Sequence, residues 1–406
     1  MALPASPTVE RVLRGQLCTG CGLCAAVSDG AIGMSMTPPG YSRPVQTAPI
    51  TEAAEAAIAQ SCPGAVAAAW DRTAQLHPYW GPWRSIWTGF ATDEEVRFEG
   101  SSGGALSAIL IHALSTGFID RVFHIKADPD NPTANITVCS RTPAEILAGA
   151  GSRYTASSPL SQIDEALALG GRMAFVGKPC DVSALRRLAL RDERVDRHVP
   201  LMLSFFCGGM PSHDGVRRIL KAMDVPFEDV AAFRFRGQGW PGTAAATTRD
   251  GAVAKMSYAE SWGGHLSKEV QFRCKICSDA VGGAADIACA DAWYGGESGY
   301  PSFDEQDGRS LIVARSEAGV QILEAAAAAG ALSIEPLDVG EIDLMQPSQA
   351  RRKRLVKARL GALTATLQPK PDLRGTEVAS AARRAASAEA ARNLIGTIRR
   401  VLLGKR

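Results

Sequence analysis

"MAFVGKPCDVSALRRL" runs from Met173 to Leu188, and its reading decides the fold. It opens with an apolar run of strand length that closes at Gly177. A helix is expected to begin near Asp181, whose carboxylate suits the N-cap because it can accept a free backbone N–H. Three further apolar runs, "RVFHIKA" (121–127), "LMLSFF" (201–206) and "LIVAR" (311–315), are each followed by helical or loop sequence. This alternation predicts an α/β domain. In an open α/β sheet the C-terminal ends of the strands line the ligand crevice. Cys180 stands just past one such end. Cys207, in "LMLSFFCGGMPS" (201–212), stands past another, so the two thiols are expected to face one site.

Those thiols bear on a downstream pair. "RCKICSDAVGGAADIACADAW" (273–293) holds Cys274-x-x-Cys277, which supplies only two ligands. The remainder must come from Cys139, Cys180, Cys207 or Cys289. Cys139 ("NITVCSRT", 135–142) and Cys289 read as strand-interior residues, and buried inert thiols are common. Strand-end placement favours Cys180 and Cys207, although Cys139 or Cys289 remains an alternative. The N-terminal "CTGCGLC" (18–24) is more self-sufficient. Cys18, Cys21 and Cys24 sit at a spacing that wraps one corner of a 4Fe-4S cube, with Gly20 and Gly22 between them, and Cys62-Pro63 supplies the distant fourth cysteine of a ferredoxin-type run. A structural zinc site is the competing reading, but it usually uses two separated C-x-x-C knuckles.

The 406 residues are 46% hydrophobic and 21% charged, as expected of a soluble globular protein with more than one domain. The net charge of +2 gives no global pull toward nucleic acid or membrane. The first residues, "MALPASPTVERVL", lack the apolar stretch of a signal peptide, and no apolar run is long enough to span a bilayer, so a cytoplasmic location is expected. There, ten cysteines with C-x-x-C spacings point to metal rather than disulfides. Composition divides the chain into a small ferredoxin-like iron–sulfur domain (1–75), a larger α/β domain (80–345) and a basic, Ala-rich helical tail (346–406). In the tail, Leu394, Ile395, Ile398, Val401 and Leu402 form an apolar stripe flanked by arginines. It could dock on this protein, on a partner or peripherally on a membrane. The run Arg351–Lys357 reads as a solvated face or a place where an acidic ferredoxin approaches.

Five stretches in one order carry a resemblance: "FEGSSGGALSAIL" (98–110), "GAGSRYTAS" (149–157), "FVGKPCDVSALRRL" (175–188), "FRFRGQGWPG" (233–242) and "CKICSDAVGGAADIACADAW" (274–293). Together they resemble the beta-subunit family of deazaflavin-coenzyme hydrogenases and dehydrogenases, which includes ferredoxin-dependent chlorophyll side-chain reductases. The resemblance covers about residues 15–345. It implies non-covalent FAD in the larger domain and a second 4Fe-4S cluster held by Cys180, Cys207, Cys274 and Cys277. It also implies electron flow from ferredoxin, or another one-electron donor protein, through both clusters to FAD and on to a small organic substrate. A subunit handling deazaflavin coenzyme within a larger complex is the second reading. A relay protein for polysaccharide or cell-envelope modification is the third.

The sequence departs from the family at Lys178, where threonine is frequent, and at Gly208, where many members carry histidine. For the flavin, Ser101, Ser102, Gly103 and Gly104 offer N–H groups and hydroxyls at a helix N-terminus; a ligand-free cap has the same appearance. Ser152, Arg153 and Tyr154 follow in "GSRY", where Arg153 could meet a phosphate or a reduced flavin, or make only a surface pair. Lys178 is a second cation at a strand end. Arg234, Arg236 and Trp240 suit a cofactor-covering loop or a buried turn anchor. Asp291 is the acidic residue beside the cluster-binding segment.

Overall fold

The computed structural model describes residues 2–293 and 305–404. Eight strands join in one sheet: β1 (Ser85–Ala91), β2 (Arg121–Ala127), β3 (Asn135–Ser140), β4 (Met173–Val176), β5 (Leu201–Phe205), β6 (Ile287–Asp291), β7 (Ser310–Ala314) and β8 (Leu332–Pro336). Their spatial order is β8-β1-β7-β6-β5-β4-β2-β3. The central run β6-β5-β4-β2 is parallel, and antiparallel strands close both sides.

Both faces of the sheet are covered. Met173 and Phe175 of β4 enter one core with Val182 and Leu185, whereas Ala174 enters the opposite core with Ile109 and Leu323. Met202 of β5 joins the first core, and Leu201 and Leu203 join the second. Side chains alternate along a strand, so burial of both faces demands an unbroken apolar run. That is why these strands are visible in the sequence. Cys289 lies inside β6 and is buried, and Cys139 lies inside β3, both strand-interior as expected.

The helix after β4 spans Pro179–Leu188, and its N-cap is Lys178 rather than Asp181. Pro179 fits the first helical position because its fixed φ matches and its missing N–H is not needed there. Asp181, one turn in, accepts the Lys178 backbone N–H at 3.0 Å and the Lys178 Nζ at 2.7 Å. The helix therefore starts earlier than expected, and Cys180 lies in its first turn.

The three compositional segments share a core. Val12 and Leu17, Phe272 and Ile276, and Leu363 and Val401 belong to one buried cluster. The Asp372 N–H donates to Ala65 O at 2.7 Å, and the Ala67 N–H donates to Asp372 O at 2.9 Å. Helix Ser387–Leu402 docks on helix Pro347–Ala365. Its stripe does not bury as a unit: Val401 is buried, but Ile395 and Leu402 are 64% and 74% exposed. Asn393 and Thr397 turn inward instead, because the Asn393 Oδ1 accepts the Arg359 guanidinium at 3.0 Å. Nor is Arg351–Lys357 a solvated face, since only Arg351 and Lys357 are exposed and Lys353 is buried. Among the described residues no helix is long and apolar enough to cross a membrane.

Candidate functional site

Cys18, Cys21, Cys24 and Cys62 line a single enclosed cavity with Val9, Val12, Leu23, Met34 and Ile58. Gly20 and Gly22 have φ of 78° and 89°, where a side chain is strained. A Cβ on Gly22 would also lie 2.7 Å from Ser161 N and 2.9 Å from Ser158 O, so the loop is pressed against the larger domain. The Gly20 N–H donates to Cys18 Sγ at 3.4 Å. Burial pushes the Cys62 thiol up to about 11, and the neighbouring Cys18 sulfur adds to it. Burial also raises Cys24, with the Cys21, Cys62 and Cys18 sulfurs adding next. Four buried thiols within charge reach of one another give up their protons readily only to a cationic partner such as iron.

The second group assembles at the C-terminal edge of the parallel strands. Cys180 follows β4, Cys207 follows β5, Cys274 lies within the short helix Phe272–Lys275, and Cys277 follows that helix. Burial raises the Cys207 thiol to about 12, with Cys274 the next cause and Arg352 opposing. Burial raises Cys180 as well, and Asp181, Cys207 and Cys274 add to it. The Met210 N–H donates to Cys274 Sγ at 3.3 Å. Cys289 is raised to about 12 by burial alone, and the charges around Cys139 are those of Arg121 and Arg141. The ten thiols thus fall into two groups of four and two outliers.

Among the described residues no group of three or more His, Cys, Asp or Glu side chains converges as a single-ion site requires. Four thiolates on one zinc stand about 3.8 Å apart, given a tetrahedron with zinc–sulfur bonds of about 2.3 Å. A cube takes one thiolate at each corner iron and so accepts a wider ring. The buried, sulfur-lined arrangement fits that donor chemistry.

The flavin candidates meet one another near the same sheet edge. The Ser102 and Ser310 hydroxyls are 2.7 Å apart, and the Gly103 N–H donates to Ser310 Oγ at 3.0 Å. Gly104, at φ 72°, caps helix Ala105–Ser115. A Cβ on Gly103 would lie 2.7 Å from Gly89 O, so packing by itself demands glycine there. The Ser152 N–H donates to Ser101 Oγ at 2.5 Å, which joins the two loops. Arg153 is engaged within the protein. Its guanidinium donates to Asn135 Oδ1 at 2.8 Å, Phe233 O at 2.9 Å, Pro132 O at 2.8 Å and Ala134 O at 2.6 Å, an anchor for carbonyls rather than a free fork. The Tyr154 ring lies 4.9 Å from that of Trp262. Lys178 pairs with Asp181, which holds it charged against the opposing effect of burial, within charge reach of Cys180 and Cys207. Arg236 makes a two-pronged pair with Asp291 at 2.6 and 2.8 Å, and the Trp240 Nε1–H donates to Asp291 at 2.8 Å, so this stretch is a turn anchor. At Gly208 a Cβ would lie 2.5 Å from the Trp262 ring, which fills the space a side chain would need.

Several residues around the sulfurs are barely legible in the sequence. Gln271 bridges the two groups: its Nε2 lies 3.6 Å from Cys274 Sγ and 3.4 Å from Thr19 O, while its Oε1 accepts from Arg43 at 2.9 Å. Arg43 in turn reaches Cys18. Buried Arg273 donates to Pro63 O at 2.9 Å and opposes the upward push on both Cys62 and Cys277. Its place next to Cys274 was the only available hint.

Comparison with known proteins bears on the site as a whole. Residues 86–164 match the model of the coenzyme F420 hydrogenase/dehydrogenase beta subunit N-terminus, and residues 170–339 match that of its C terminus. The chain is 27% identical over 282 residues to the coenzyme F420 hydrogenase subunit beta of Methanococcus voltae, spanning 67% of this chain and 92% of that protein. It is 26% identical over 225 residues to the chloroplastic 7-hydroxymethyl chlorophyll a reductase of Oryza sativa subsp. japonica, spanning 54% of this chain but only 45% of the reductase. A chain of the F420-reducing NiFe hydrogenase complex from Methanosarcina barkeri shares the fold, with a TM-score of 0.54 at 24% identity over 74% of this chain and 99% of that chain.

Proposed function

The chain belongs to the coenzyme F420 hydrogenase/dehydrogenase beta-subunit family, and from that premise we propose that it is an iron–sulfur flavoprotein oxidoreductase. Its electrons come from ferredoxin or another one-electron donor protein and end on a small organic substrate. Cys18, Cys21, Cys24 and Cys62 hold one 4Fe-4S cluster; Cys180, Cys207, Cys274 and Cys277 hold the other. Ser101, Ser102, Gly103, Gly104, Ser152, Tyr154 and Lys178 border the FAD, with Arg153 fixing the backbone beneath them. When bound, the clusters supply one-electron transfer and the flavin the change between one- and two-electron steps. The observation that carries this reading is the four-plus-four grouping of buried and partly buried cysteines, one group at the sheet edge where the two candidate flavin loops also meet. The residues perform distinct tasks. The Gly20 backbone N–H donates to Cys18 sulfur and opposes the upward push of burial there, and the Met210 backbone N–H donates to Cys274 sulfur. Lys178 places a buried positive charge beside Cys180 and Cys207.

A second reading, an F420-handling subunit of a larger complex, is favoured by the 92% span of the Methanococcus voltae subunit. One experiment covers both. Protein purified anaerobically is assayed for iron and flavin, then offered reduced ferredoxin or reduced F420. About eight Fe per chain, from two cubes of about four, with FAD is expected. Iron without flavin would remove the flavoenzyme reading, and zinc in place of iron would remove the clusters. Reduction by F420 alone would select the second reading.

A further inference from the structure

We infer that the C-terminal helix Pro347–Ala365, which lies beyond both matched family segments, forms a wall of the second cysteine site, and that Arg352 is a positioning residue whose charge raises the reduction potential of the cluster there. This rests on the cluster assignment proposed above.

The helix is tied to the cysteine-bearing loops by direct bonds. Arg352 donates to Cys207 O at 3.1 Å and to Gly208 O at 2.6 Å, and the Gln349 Nε2 donates to Cys207 O at 3.0 Å. Buried Lys353 donates to the carbonyl of Ser278, the residue after Cys277, and to Thr376 O at 2.5 Å. Farther along, Arg359 donates to Lys275 O at 2.5 Å. The carbonyls of Cys207, Gly208, Lys275 and Ser278 thus all receive side-chain donors from this one helix. The same contacts explain why this basic run turns inward.

A cluster gains negative charge on reduction, so a fixed cation beside it stabilises the reduced form, and less exposure to water strengthens that effect. Arg352 lies within charge reach of both Cys207 and Cys277. Arg273 acts on both groups, through Cys62 and Cys277, and Arg43 acts on Cys18, whereas Arg352 acts on Cys207 and Cys277, so the effect of Arg352 is expected at one site.

The test is an EPR-monitored redox titration of the full-length, iron-loaded protein. Arg352→Gln keeps a donor for the Cys207 carbonyl but removes the charge. A tenfold fall in the equilibrium constant for reduction is expected, about 59 mV for a one-electron couple, in one cluster signal only. Arg352→Lys should restore most of it. Unchanged potentials in fully loaded Arg352→Gln would overturn the inference, as would an equal shift of both signals or an Arg352→Lys variant that behaves like Arg352→Gln. If Arg352→Gln sheds half its iron, Arg352→Lys decides: full iron at the wild-type potential supports the inference, and the same loss overturns it. Wild-type protein without iron would remove the cluster assignment itself, whereas a loaded variant with unchanged potentials removes only the role of Arg352.

Discussion

At the residue scale, what separates one cysteine from another is where its strand ends. Cys180 and Cys207 lie just beyond β4 and β5, whereas Cys139 and Cys289 point into packed strands. Cys180→Ser and Cys277→Ser should therefore lose the same cluster, about four Fe, while Cys139→Ser keeps both. Iron analysis with EPR reads this directly, and bleaching by Cys139→Ser with none by Cys180→Ser would reverse the assignment. His124 allows a pH test away from the sulfurs. Burial, with Lys126 adding to it, lowers its pKa from 6.5 to about 4, and its Nε2 lies 2.7 Å from Ser140 Oγ between β2 and β3. The unfolded chain takes up the proton near the ordinary value and the folded one only near 4. Stability is therefore fully present above pH 6.5 and falls as pH drops toward 4, by about 3 kcal/mol at 1.36 kcal/mol per unit. His124→Gln keeps a polar partner for Ser140 and cannot titrate. In urea unfolding at pH 7 and pH 4.5, wild type should lose more stability than the variant, and parallel losses would show that His124 is not held neutral.

At the scale of elements, legibility follows the range of the interactions that define each one. Strands β2, β4, β5 and β7 are readable because burial of both faces writes an apolar run into a few consecutive residues. β1 is not: "SIWTGFA" (85–91) falls beside Pro- and Trp-rich sequence that reads as a boundary, and its partners β7 and β8 come more than two hundred residues later. The helix start at Lys178 was hidden because an aspartate at the third helical position and an N-cap aspartate look alike without coordinates. The four-cysteine N-terminal set could be read from spacing, whereas Gln271, Arg352 and Lys353 could not, since each serves carbonyls distant in sequence. The C-terminal helices show the same limit, because their polar side chains turn inward to meet those carbonyls. Leu363→Ala, at a fully buried position between the N- and C-terminal segments, should cost about 2–5 kcal/mol. Ile395→Ala, on the exposed part of the stripe, should change stability by less than about 0.5 kcal/mol. Chemical denaturation of both variants is the check. The opposite ranking would mean that helix Ser387–Leu402 does not dock as described.

At the scale of the whole molecule, the two cysteine groups and the candidate flavin loops form an ordered series. The first group comes entirely from the N-terminal segment. Cys18 also borders an open groove about 410 Å³ in volume, with Pro38, Pro39, Tyr41, Arg43, Lys268 and Lys275 among its other walls. Gln271 and Arg43 link that group to Cys274 of the second. Lys178 then lies between Cys180 and the segment leading back to Ser152, with its Nζ 3.5 Å from Ser157 Oγ. The Ser101–Gly104 loop is held by Ser310 on the other side of that segment. Cys18 of the first group thus meets a groove with several cations, and an acidic one-electron donor would be steered to such a surface. Reduction by a protein donor should therefore depend on the first cluster, whereas binding of FAD should not. Cys21→Ser is expected to retain FAD, to be reduced normally by dithionite, which diffuses to any exposed edge, and to lose reduction by ferredoxin. Stopped-flow measurement of flavin bleaching with each reductant separates these outcomes. If ferredoxin reduces the flavin of Cys21→Ser at the wild-type rate, electrons enter at the second group or at the flavin directly, and the order drawn from the groove inward is wrong.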